Sequence, residues 1–176
     1  MPITILIAIA VLIVVFIVIV AMRPSDFRVV RSATIPAPAA VVFEQVNDLK
    51  KFQDWSPWAK MDPQCKVTYD GPPAGNGASF AWAGNRQVGE GRMTVIESRP
   101  SELVRFRLEF LKPFKATNTA EFDFKSAGSQ TEVTWSMYGE KSFMFKAVGL
   151  FIDTDKMVGP DFEKGLANLK TVVAKQ

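Results

Sequence analysis

Between Ile3 and Met22 the chain carries twenty residues without a charge, and Thr4 is the only polar one among them. At helical rise that run covers about 30 Å, the thickness of a bilayer's hydrocarbon core. Beyond Arg23 the apolar positions become periodic. Residues 28–35, RVVRSATI, have the β-branched content and partial alternation of a first strand. Pro36 and Pro38 stop it, and AAVVFEQVNDL then sets Ala39, Val42, Phe43 and Val46 on one helical face. In QDWSPWAKMDP, Pro57 and Pro63 break regular structure, which predicts a short second helix followed by an irregular segment.

From Lys66 the period falls to two. KVTYDGPPAGNGASFAW holds two strand-like runs around a Gly/Pro/Asn-rich connection, and GEGRMTVIES is joined to ELVRFRLEFL at Arg99-Pro100-Ser101. In the latter Val104, Phe106, Leu108 and Phe110 face one way, and Arg105, Arg107 and Glu109 the other. ATNTAEFDF and TEVTWSMYG alternate likewise across KSAGSQ. The reading is about six or seven antiparallel strands, apolar on one face only. SFMFKAVGLFI then interrupts the alternation, Gly159-Pro160 breaks it off, and Asp161 is placed to cap a last helix. On that helix Phe162, Leu166, Leu169 and Val173 form one buried stripe. A sheet with one apolar face and one amphipathic helix must bury them together, giving an α+β domain.

The apolar start fits a retained single-span anchor over residues 1–22, with a juxtamembrane linker at 23–27 and one domain over 28–176. A cleaved secretory peptide has a basic leading region and a shorter core, and neither is present. Arg23, Arg28 and Arg31 follow the span, so the excess-basic rule predicts an N-terminus outside the plasma (inner) membrane and a cytoplasmic domain.

Charge adds little: 21 basic against 18 acidic residues is too even and scattered to argue for a nucleic-acid partner. Histidine is absent altogether. That excludes Ser-His-Asp and Cys-His nucleophile systems and imidazole metal sites, and with Cys65 the only cysteine no metal site or cofactor is expected. GNGASF lacks the third glycine of a dinucleotide fingerprint and joins strands, so it is a turn. Glu109, Glu121 and Asp123 face away from their apolar neighbours and read as a solvated outer sheet face.

The order strand, two short helices, strand meander, long C-terminal helix resembles the helix-grip fold of the START/Bet v 1-like (SRPBCC) superfamily. It is similar in particular to the bacterial polyketide cyclase/dehydrase and lipid-transport branch. The residues that carry the resemblance are IPAPAAVVFEQVNDLKKFQDWSPW, GNGASFAWAGN, GEGRMTVIESRPSELVRFRLEF, TEVTWSMYG and DKMVGPDFEKGLANLK. The resemblance implies a curved sheet gripping the last helix around a cavity, and a hydrophobic small molecule or lipid as ligand.

Trp82, Met93, Phe106, Leu108, Phe122, Trp135 and Met137 are in phase with the apolar faces of their strands, which makes them core or the lining of such a cavity. Asn118 keeps the same phase and either orients a ligand or bonds to backbone near a strand end. Trp55 and Trp58 are expected to close one end of the grip, as a lid and a candidate pocket entrance. Phe143, Phe145 and Phe151, flanked by Lys141 and Lys146, either pack into the grip or dip into the membrane interface. The function expected is a non-enzymatic, membrane-anchored binding module for a lipid or other hydrophobic small molecule; the alternatives are an accessory subunit whose span docks to a larger membrane complex and a cyclase/dehydrase-type enzyme acting on a hydrophobic substrate. No inward acid or base supports the enzyme.

Overall fold

The alternating runs form one seven-stranded antiparallel sheet in the order β1-β7-β6-β5-β4-β3-β2. The computed structural model describes residues 3–151 and 153–175. Helix α1 (Ile3–Ala21) leads into β1 (Asp26–Ile35), α2 (Ala39–Asn47), α3 (Leu49–Trp55) and a single turn at Trp58–Lys60. The meander follows as β2 (Lys66–Asp70), β3 (Ser79–Ala83), β4 (Glu90–Arg99), β5 (Leu103–Lys112), β6 (Ala116–Ala127) and β7 (Gln130–Glu140). Helices α4 (Phe143–Val148) and α5 (Thr154–Val173) complete the chain. This is the helix-grip architecture: α5 lies on the apolar face of the curved sheet, with α2 and α3 filling the remaining side.

Asp48 shows how little sequence is needed to turn the chain there. It ends α2, and its carboxylate accepts from the backbone N–H groups of Lys50 and Lys51 to start α3. Helix α1 is long and apolar enough to cross a membrane, and of its side chains only Val20 is buried. Four residues, Met22 to Ser25, separate it from β1.

The last helix departs from the expected start at Asp161. It begins at Thr154, capped by Asp153, whose side chain accepts from the Asp155 N–H, and it runs through Pro160. The reason lies across the interface. Arg31 pairs with Trp135 in the sheet and points inward, where it bonds Asp155 at 2.9 Å and Glu163 at 2.7 Å. A Cβ on Gly159 would collide with that guanidinium, so the glycine gives the arginine a seat against the helix. Arg31 thus spans positions on both sides of Pro160 and holds the helix together where proline removes a backbone donor. Hydrogen bonds from Arg31 hold the Asp155 carboxyl below the usual carboxylate range.

Further along α5, Gly165 meets the Trp135 ring: a Cβ there would lie 2.7 Å from one ring carbon and 3.3 Å from Pro57. Two outcomes are expected in denaturation followed by tryptophan fluorescence of the detergent-solubilised chain. Gly165→Ala should destabilise by about 1–3 kcal/mol, because overpacking a fixed ring outweighs the helix-propensity gain of about 1 kcal/mol. Asp155→Asn should destabilise at neutral pH. Its folded-state carboxyl titrates below the unfolded value, so the contribution is fully present above the unfolded carboxylate range, and the difference from wild type closes as pH falls from that range through the lower folded value.

Candidate functional site

The inner face divides into two halves. Toward the end where β4–β5 and β6–β7 turn, Val104, Phe106, Phe122, Phe124, Val133 and Trp135 are all buried. Trp135 is the centre of this half. Its ring stacks on Phe162 of α5 at 4.0 Å and 8°, and on Phe122 at 4.7 Å and 28°. Trp55 meets Phe122 and Trp135 edge-on at 5.9 and 5.7 Å, and Trp58 meets Trp135 and Phe162 at 5.8 and 6.3 Å. Trp55 is fully buried and donates its indole N–H to the Gln45 carbonyl at 2.9 Å, while Trp58 remains half-buried. The Asn168 side chain donates to the Trp55 carbonyl at 3.0 Å and ties this pair to α5. Phe106, Phe122 and Trp135 therefore sit in a packed aromatic column with the two lid tryptophans laid against it.

The other half looks toward the end where α1 joins β1. Here the cross-strand register places Gly139, Asn118, Leu108 and Met93 in one row. Trp82, Leu108, Phe110 and Asn118 are half-buried, and only Met93 and Met137 are closed off. Trp82 leans over Gly91 and meets Phe110 edge-on at 5.9 Å, while its indole N–H donates to the Val88 carbonyl at 3.3 Å. Asn118 lies against Gly139, where any Cβ would strike its side-chain oxygen. A shallow, open concavity of about 400 Å³ lies beside this end at the β5–β6 hairpin, lined by Glu109, Phe110, Leu111, Lys115, Ala116 and Thr117, and none of the expected site residues lines it. The expected site residues thus separate into a closed set and a half-open set on one continuous apolar face. Phe110 belongs to the half-open set; its phase with Leu108 was the available signal. Phe162 belongs to the closed one, and its place in the helical stripe was the signal there.

Two buried donors have no hydrogen-bond partner among the described residues: Gln45 Nε2 and Trp135 Nε1. The inner face carries one charged side chain near this region, Arg31, and it is occupied by Asp155 and Glu163. Among the described residues no group of three His, Cys, Asp or Glu side chains is placed to hold a metal ion.

The outer face corrects the expectation of a uniformly solvated surface. Glu121 is buried, 9% exposed, because Arg105 bonds it at 2.6 Å, Tyr138 reaches it at 3.3 Å, and Arg105 also contacts Glu97. The alternation assigned the face correctly; cross-strand pairing of long side chains over β5, β6 and β7 covers the carboxylate. Burial, with the Glu121 charge, pushes the Asp123 carboxyl and the Tyr138 hydroxyl up, and the hydrogen bond to Glu121 raises Arg105. Glu109, farther along β5, is exposed enough to meet the original expectation. Arg105→Ala is expected to lower stability by about 2 kcal/mol, since it leaves a largely buried carboxylate with one weak partner, and Glu121→Gln should restore part of the loss in the double variant. Denaturation midpoints of the four chains check both.

A curved seven-stranded sheet with an apolar inner face, wrapped on a long C-terminal helix, defines a helix-grip domain. Residues 26–174 match the family model described as polyketide cyclase/dehydrase and lipid transport, and the chain belongs to that family. Solved structures share the fold at low identity. A protein of Mesorhizobium loti has 12% identity and a TM-score of 0.63, covering 85% of this chain and 98% of that one. An aromatase/cyclase from Streptomyces has 12% identity and a TM-score of 0.61, covering 85% and 94%. A Thermus thermophilus protein has 19% identity and a TM-score of 0.60, covering 85% and 98%. No curated protein matches the sequence.

Proposed function

We propose that this chain is a membrane-anchored binding module for a lipid or another hydrophobic small molecule, held in the half-open end of the grip. The observation that carries the reading is the gradient along the inner face. Its far half is closed by the aromatic column, whereas Trp82, Leu108, Phe110 and Asn118 stay half-buried at the end from which α1 departs. An apolar wall with one amide suits a mostly hydrocarbon ligand with one polar group. Family membership supports a hydrophobic ligand, and α1 supports anchorage. A cyclase/dehydrase activity has less support. It needs a group that moves a proton, and the charged side chain nearest the inner face, Arg31, is committed to two carboxylates.

Native mass spectrometry of the full chain released from membranes tests the proposal. A lipid-sized adduct is expected on the wild type. Leu108→Gln sets a second amide against a hydrocarbon ligand and should weaken binding roughly ten-fold. No adduct, or equal occupancy in wild type and variant, would overturn the reading. Consistent recovery of a larger complex without adduct would point to the accessory-subunit role instead.

A further inference from the structure

The end of the domain nearest α1 exposes large apolar side chains that the rest of the fold leaves uncovered. Helix α4 presents Phe143, 50% exposed, and Met144, 63% exposed, and Phe151 just beyond it is 84% exposed. Leu111, 53% exposed near the end of β5, and Phe114, 55% exposed in the β5–β6 turn, extend this set. These are one surface, because Phe114 meets Phe145 edge-on at 5.7 Å. The placement is fixed from both sides. Helix α4 packs beside α1, whose one buried side chain, Val20, lies in its last turn, and the Lys141 N–H donates to the Ser25 carbonyl at 2.6 Å. Ser142 caps α4 by accepting from the Phe145 N–H, so the helix is a built element of the domain.

Charge is sorted on the same surface. The segments 111–115 and 141–151 contain four charged residues, Lys112, Lys115, Lys141 and Lys146, and no carboxylate. Acidic groups border this surface: Glu90, paired to Lys112 at 2.8 Å, and Asp26 opposite Glu140 lie on strands, while Asp153 follows Phe151 at the start of α5, where its carboxylate accepts from the Asp155 N–H. Apolar tips with lysines between them match the boundary between headgroups and acyl chains, where rings enter by about 5–10 Å and long basic side chains reach the phosphates.

We infer that α4, Phe151 and the β5–β6 turn form a second membrane contact that seats the domain on an anionic bilayer surface, with the half-open end of the grip against the lipid. The inference rests on the anchorage of α1 proposed above. A protein span that leaves the bilayer at Met22 puts α4 at headgroup depth with no choice of register. Exposed rings at that depth meet lipid, not water. The contact also turns Trp82, Leu108 and Phe110 toward the leaflet.

Full-length protein, with Cys65→Ser and one environment-sensitive dye on a new cysteine, is reconstituted in phosphatidylcholine vesicles with and without phosphatidylserine. Nitroxide-labelled lipids then report depth. Met144→Cys is expected to be quenched by nitroxides near the headgroups, more strongly with phosphatidylserine. Lys115→Glu with Lys146→Glu should shift the docked-to-free ratio, by roughly five-fold for each lysine removed. Val11→Cys, quenched only by deep nitroxides, reports the anchor in parallel. A quenched Val11 probe with an unquenched Met144 probe would overturn the docking and leave the anchorage standing. An unquenched Val11 probe would overturn both. A Met144 probe shifted to an apolar environment without lipid quenching would mean that another protein surface covers the rim, and would overturn the inference equally.

Discussion

Everything in this fold depends on the parallel stacking of Trp135 between Phe122 and Phe162. It joins β6 and β7 to the middle of α5 through ring faces, at separations of 4.7 and 4.0 Å. Glycine at 165 is the condition for it, because the helix backbone must come within ring contact of Trp135. Trp55, Trp58 and Phe52 then have flat apolar walls to meet edge-on, and α2 and α3 are positioned by those meetings. The grip is therefore tight because its centre is an aromatic column, and it opens only where the column ends.

That arrangement explains why one continuous apolar face behaves as two materials. Where rings fill the distance between sheet and helix, dispersion contacts are saturated and the interior is a core. Past Met137 the inward residues of β7, β6 and β4 shorten to Gly139, Ala116 and Gly91, beside the half-buried rings of Trp82 and Phe110, and the stacked column does not continue. Residue size along the strands decides which part is solid and which part is accessible. Arg31 closes the edge between β1 and α5 with charge in place of apolar volume, so the helix is held along its length while the space beside Asn118 stays uncrowded.

Much of this was legible in the sequence and some was not, for identifiable reasons. The seven strands, their inward phases and the C-terminal stripe follow from periods of two and of 3.6, because each element buries only one face. The start of α5 was missed because Gly159-Pro160 is a local signal for interruption, and the ion pairs that override it come from Arg31, far away in sequence. Arg31 itself was counted only among the basic residues that follow the span. Nothing local marks it as inward-facing, since strand alternation in RVVRSATI is imperfect. Glu121 looked solvated for the same reason, as its cover comes from Arg105 and Tyr138 on neighbouring strands. The split of the inner face into closed and half-open halves depends on α5's distance from the sheet, which no single strand encodes.

The four residues between α1 and β1 have a mechanical consequence. With Ser25 bonded to Lys141 and Val20 packed into the domain, the joint has no slack to absorb rotation. If α1 spans a bilayer as proposed, its 19 residues cover about 28 Å. In a bilayer thinner than that, such a helix leans over to keep its apolar length covered. A lean of the helix is then a lean of the whole grip, as with a rudder fixed to its post. Local bilayer thickness would set the pitch of the domain, and membranes of different thickness would present its open end to the leaflet at different angles.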